Sequence, residues 1–221
     1  MTGLLQTTIE TMIHKAASHL SALIFLLTLC LANVHAEETL EVLISTSAGD
    51  VVIELYPQSA PLSVNNFLRY VDAGDYANSQ FYRVVRPDNQ AQNNIKIEVI
   101  QGGLGMAAEH TRFEPIAHES TQTSGILHTD GVISMARGEP GTAASEFFIC
   151  INDQPELDFG GGRNPDGQGF AAFGRVISGM DVVRAIQNMK TDSPSGGELE
   201  YTSGQILLEP VIIRQISRIA D

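Results

Sequence analysis

Antiparallel β-sheet accompanied by two helices is the fold class the sequence predicts, and three observations carry it. Short apolar runs separated by glycine-rich connections fill the chain from Phe81 to Val176. Only two segments space their apolar residues as a helix does. Strand and helix patterns do not alternate, so the βαβ rhythm of a parallel sheet is missing. A closed barrel, with the helices covering its open ends, is one way for such a sheet to remove its edges. Periodicity by itself reaches no further than mostly β with two helices.

The elements follow in order. Leu40 to Thr46 and Val51 to Tyr56 alternate as a half-buried hairpin, with Ala48-Gly49-Asp50 as its turn. Ser59-Ala60-Pro61 opens a helix, the proline standing where a missing N–H is harmless. Val64, Phe67, Leu68 and Val71 give that helix one apolar face, and Gly74 ends it. A second helix begins at Ser178, where Ser178-Gly179-Met180-Asp181 fits a capping box, and Val182, Val183, Ile186 and Met189 form its stripe. Thr191 to Gly204 is polar and reads as a loop, and Pro210 to Ile219 as a last strand.

The chain has 221 residues, enough for one domain with a real core. Its 13 basic and 26 acidic residues give a net charge of −13, spread along the sequence. Such a surface repels phosphate backbones, which excludes nucleic acid as a partner. Lys15 precedes an apolar run from Leu20 to Ala32, and Val34-His35-Ala36 supplies modest residues for cleavage. That is the layout of a secretory signal peptide over 1–36, leaving one domain over 37–221. The apolar run is short of the ~20 residues of a spanning helix, so no stable membrane insertion is expected after cleavage. Leu27-Thr28-Leu29-Cys30 approaches a lipoprotein attachment site, but Leu29 is too large for the usual pattern. Translation can begin at Met1 or Met12. The expected location is the periplasm, with secretion as the alternative. Cleavage leaves Cys150 without an internal disulfide partner, a small hydrophobe in the run Phe147 to Ile151.

Two runs carry chemistry. Phe81-Tyr82-Arg83-Val84-Val85 and Val99-Ile100-Gln101-Gly102-Gly103 each deliver one long polar side chain, Arg83 and Gln101, into apolar surroundings. A guanidinium keeps its charge and offers five donors in a planar fork, so over an apolar groove it can polarise an amide without acting as acid, base or nucleophile. Gly131 to Arg137, Ala144 to Ile149 and Phe170 to Val176 follow in that order. Together these segments resemble the cyclophilin-type peptidyl-prolyl cis–trans isomerases, over about Leu40 to Ile216.

The resemblance implies a closed eight-stranded antiparallel β-barrel capped by two α-helices. It implies catalysis of X–Pro rotation in folding exported proteins, without cofactor or metal, on proline-containing segments of unfolded or folding chains. Arg83 is then the catalytic donor and Gln101 orients the substrate backbone. Phe148 and Leu157 line the proline pocket, with Met135 and Val99 beside them, and the backbone at Ala136 and Arg137 pairs with the peptide. Glu146 and Phe170 occupy further positions of the groove. A monomer is the default. The alternative is a peptide-binding module or chaperone on the same fold with little isomerase activity.

Departures from the family pattern cluster at the groove. Glu98 and Val99 replace an aromatic residue and a methionine, Glu146 a glutamine, Glu156 a tryptophan and Phe170 a histidine. The three carboxylates either pair with Arg83 and shorten its reach toward substrate, or favour basic peptides; alternatively Glu98 and Glu156 point to solvent. Loss of the tryptophan predicts weak cyclosporin binding. Arg86 to Lys96 and Gly160 to Gly169 are polar loop expansions beside the groove. Other chemistries fare poorly. Gly103 to Ala108 matches G-x-G-x-x-A, but a nucleotide site needs it to open a helix inside a βαβ unit. His110, His118 and His128 lack the spacing of a metal site, and no G-x-S-x-G marks a hydrolase serine.

Overall fold

The computed structural model describes residues 39–105, 112–192 and 201–219. The expected signal peptide, Met106 to Ala108 of the glycine run, and His110 lie outside the described residues. Eight strands close a barrel in the order β1-β2-β7-β5-β6-β4-β3-β8. They are β1 Leu40–Thr46, β2 Asp50–Leu55, β3 Ser79–Val85, β4 Val99–Gly103, β5 Val132–Met135, β6 Phe147–Cys150, β7 Ala171–Ser178 and β8 Ile206–Arg218. Every pairing is antiparallel, including those of the glycine-bearing β4 with β3 and β6. Gly103 therefore ends an antiparallel strand, not the first strand of a βαβ unit, and the nucleotide reading falls.

Alternation fills the barrel. Val42 and Ile44 of β1, Val51, Ile53 and Leu55 of β2, and Phe147 and Ile149 of β6 turn inward and are fully buried. Helix α1, Pro61–Asp72, starts with its proline in the first turn and packs on β7 and β8. Its Phe67 joins Tyr76, Phe147 and Phe173 with ring centroids 5.3 to 5.5 Å away, in tilted and edge-on contacts typical of aromatic cores. A short turn, α2, spans Thr121–Ser124. Helix α3, Met180–Gln187, buries Val183 and Ile186 against β2, β3 and β4.

Two boundaries differ from the sequence reading. Helix α3 has no capping box: Ser178 still belongs to β7, and Gly179 is the N-cap without a side-chain cap. The turn demands glycine there, because φ is +93° and a Cβ would stand 2.4 Å from the Asp50 carbonyl oxygen. The last strand begins at Ile206, four residues before Pro210. Phe81 pairs with Val211 but Arg83 with Ile206, so Leu207 to Pro210 fall within a register shift. A proline without an N–H is tolerated at such an irregularity.

Candidate active site

The same register shift in β3 places the arginine. Phe81 and Val84 both belong to the barrel core, three residues apart, so strict alternation fails between them. The bulge leaves Arg83 on the outer face, directly opposite Gln101 of β4. On β4, Ile100 is in the core while Val99 and Gln101 face outward. On β6, Phe147 and Ile149 are inside and Phe148 and Cys150 outside.

These outward residues build a second apolar cluster, in which Val99, Phe148, Leu157, Phe170 and Cys150 pack with Ala136 against them. Above it lies a cavity of about 480 Å³. Phe148 and Phe170 meet edge to face, 5.3 Å between centroids. Beneath, the buried His128 ring stacks on Phe148 and is fixed by Asp158 at 2.7 Å and Ser134 at 3.0 Å. That role is structural. His118 sits elsewhere, with Nε2 2.9 Å from the Gln168 carbonyl oxygen. The Cys150 thiol is fully buried, and burial pushes its pKa up.

Arg83 lines this cavity, 6% exposed. Nη1 donates to Gln101 Oε1 at 2.7 Å, while Nε and Nη2 both donate to Gln205 Oε1 at 2.9 and 2.6 Å. Three of five donors are thus committed to amides, and the guanidinium also hydrogen-bonds Tyr201. The Tyr201 ring lies over the guanidinium, 4.8 Å from its carbon. A polar chain continues from Gln101, whose Nε2 donates to the Tyr82 hydroxyl at 2.8 Å. That hydroxyl donates to Glu146, which also accepts from the Gly105 N–H at 2.8 Å. Burial raises the Glu146 carboxyl above its ordinary pKa, against the pull of these hydrogen bonds.

Nine of the ten expected groove residues line the cavity: Arg83, Val99, Gln101, Ala136, Arg137, Glu146, Phe148, Leu157 and Phe170. Met135 does not. It shares the inward parity of Ile133, pairs with Phe147 across the β5–β6 ladder, and is fully buried in the barrel core. The carboxylates do not pair with Arg83 either. Glu146 is held by Tyr82 and Gly105. Glu98 accepts from Asn152 at 3.0 Å, and the exposed Glu156 from the Gly162 N–H at 2.8 Å.

The loop expansions are tied to the groove and to each other. Arg137 folds over the Phe170 ring at 5.2 Å, forks onto Asp166 at 2.8 and 3.0 Å, and donates to the Gly169 carbonyl. Arg163 Nη1 reaches across to Gln90 Oε1 at 2.9 Å and the Ile95 carbonyl at 2.6 Å. Tyr201 and Gln205 are functional residues that the sequence reading missed, because both fell in or beside a segment read as polar loop. A lone amide just ahead of the apolar Ile206-Leu207-Leu208 was the available signal.

A closed barrel carries an arginine held over an external apolar cleft, where it can polarise a bound polar group. Residues 41–216 match the family model for cyclophilin type peptidyl-prolyl cis-trans isomerase. The chain is 35% identical to peptidyl-prolyl cis-trans isomerase cyp18 of Streptomyces antibioticus, over 77% of this chain and 93% of the relative. It is 34% identical to peptidyl-prolyl cis-trans isomerase B of Escherichia coli, over 77% and 97% respectively. A solved cyclophilin type isomerase from Cryptosporidium parvum shares the fold, with a TM-score of 0.59 at 23% identity, covering 83% of this chain and 99% of its own. The chain belongs to the cyclophilin-type peptidyl-prolyl cis–trans isomerase family and is an enzyme of that class.

Proposed function

We propose that this isomerase acts in the folding of exported proteins, turning X–Pro bonds against Arg83 in the periplasm as a monomer. The X–Pro partial double bond imposes a barrier of ~18–20 kcal/mol and isomerises in tens of seconds unaided. At the twisted state conjugation is lost and the prolyl nitrogen regains a lone pair. A fixed donor aimed there favours the twisted state over both planar ones, with tenfold in rate for each ~1.4 kcal/mol of preference. The observation that carries this is the Arg83 guanidinium, anchored by three hydrogen bonds and opening onto the apolar cavity.

The proline ring rests on Phe148 and Leu157, where one buried ring contributes ~1.5–3 kcal/mol, so short peptides bind weakly. The solved Cryptosporidium parvum relative was also obtained in the presence of the dipeptide Ala-Pro, which supports a proline-containing ligand here. The signal-peptide pattern of 1–36 supports export. Isomerisation of X–Pro peptides by purified protein tests the reading: Arg83→Ala loses more than about tenfold with folding intact. Unchanged turnover would remove Arg83 from the mechanism, and absent turnover with retained peptide binding would favour a binding module. Mass measurement of the exported protein should find a mature chain that starts after Ala36.

A further inference from the structure

We propose that the end of the cleft lined by Arg83 and Tyr201, with Arg163 packed on the Tyr201 ring, is a subsite for an acidic side chain flanking the substrate proline. The inference rests on the prolyl-peptide reading above and adds the charge of the preferred substrate.

Among the described residues, the two buried guanidiniums that meet there have no counterion. Arg83 is 6% and Arg163 7% exposed, and the ion pairs among the described residues include neither. Their acceptors include no carboxylate: the amide oxygens of Gln101 and Gln205 for Arg83, Gln90 and the Ile95 carbonyl for Arg163, and Tyr201 for both. Both cations lie against one ring, with Tyr201 at 4.8 Å from Arg83 and 5.8 Å from Arg163. Arg163 Nε and Nη2 are buried with no acceptor at all. A buried charge with idle donors is costly unless an anion completes it.

Among the described residues, no neighbouring carboxylate supplies that anion. Glu146, which lines the cavity, is committed to Tyr82 and Gly105, and Arg137, which also lines it, is neutralised by Asp166. The uncompensated charge at the Arg83–Arg163 end of the cleft is therefore positive among the described residues, although the whole chain carries −13. Tyr201 packs on the cations yet is 53% exposed, so its ring is a cover that a substrate group can push aside. A carboxylate arriving there takes the unused donors of both arginines, whereas a lysine meets repulsion.

The test compares short peptides with Glu, Gln or Lys placed immediately before or after proline, with exchange followed by NMR. At one of the two positions kcat/KM for Glu should exceed that for Gln by about fivefold or more, with Lys lowest. The gap should shrink as salt rises from about 0.05 to about 0.5 M. Arg163→Gln should bring the Glu-to-Gln ratio close to one. Because Arg163 also anchors a loop, the salt response of the unaltered protein is the independent measurement. Equal turnover of Glu and Gln peptides at both positions, or a preference for Lys, overturns the subsite while leaving the isomerase intact. If no peptide is turned over, the isomerase reading fails instead, and NMR titration with the same Glu and Gln peptides still decides the subsite.

Discussion

Gln205 accepts two hydrogen bonds from Arg83 on a single oxygen, while its own amide nitrogen is buried without a partner. The amide is fully enclosed, so half of its polarity serves the arginine and the other half is a standing cost. Gln205 acts as a positioning residue. It holds the plane of the guanidinium while Gln101 holds one edge. Gln205→Leu should lower kcat by about tenfold or more with KM little changed. Stability should fall by about 1–3 kcal/mol, because two buried Arg83 donors lose their acceptor while the unsatisfied nitrogen leaves with the oxygen. Paired kinetics and urea unfolding check both halves; a change confined to KM would sink the positioning role.

Glu146 gives a pH-dependent stability of defined sign. Burial raises its folded pKa above the ordinary 4.5 of a glutamate. The stability contributed by the protonated form is fully present below 4.5 and is lost as pH climbs through the raised folded value. Glu146→Gln removes that loss. Urea midpoints of the two proteins should agree near pH 4 and separate in favour of Gln by neutral pH.

The Arg137 fork acts in the opposite direction on Asp166, whose pKa it lowers from 3.8 to about 2. The paired carboxylate favours the fold above pH 3.8, and this contribution disappears as pH falls through about 2. NMR titration of the Asp166 carboxyl should show the low value in the unaltered protein. Arg137→Gln should return it toward 3.8. It should also loosen the Phe170 ring that the guanidinium covers.

Gly103 tests the polar chain from a distance. Its φ is +144°, and an added Cβ would stand 2.4 Å from Glu146 Oε1. Gly103→Ala must displace Glu146 and with it the hydroxyl of Tyr82 and the amide of Gln101. Isomerase activity should drop several-fold although no group of Arg83 is altered, with a lower melting temperature. Full activity would show that the chain beyond Gln101 is dispensable.

Much of this was legible in the sequence. The hairpin and both helices follow from a period of two or 3.6 and from glycine and proline positions, whereas the placement of Val99, Gln101 and Phe148 at the groove came with the family resemblance. Met135 was misplaced because the family resemblance put it beside the proline pocket, whereas its parity with Ile133 puts it inside. The bulge at Tyr82 escaped because periodicity assumes unbroken register, and it is the bulge that delivers Arg83 to the cleft. Tyr201 and Gln205 escaped for another reason: their contacts with Arg83 span more than a hundred residues, and a lone amide ahead of an apolar run does not name its partner.

Arg163 also couples parts of the rim that are far apart in sequence. Through Gln90 and Ile95 it fastens the expansion after β3 to the one before β7, and Ile97 at the end of the first contributes to the cavity wall. The two insertions consequently behave as one component. Grafting either onto a shorter relative without its companion would strand a buried guanidinium or a buried amide, so exchange of this rim between family members has to be done in pairs.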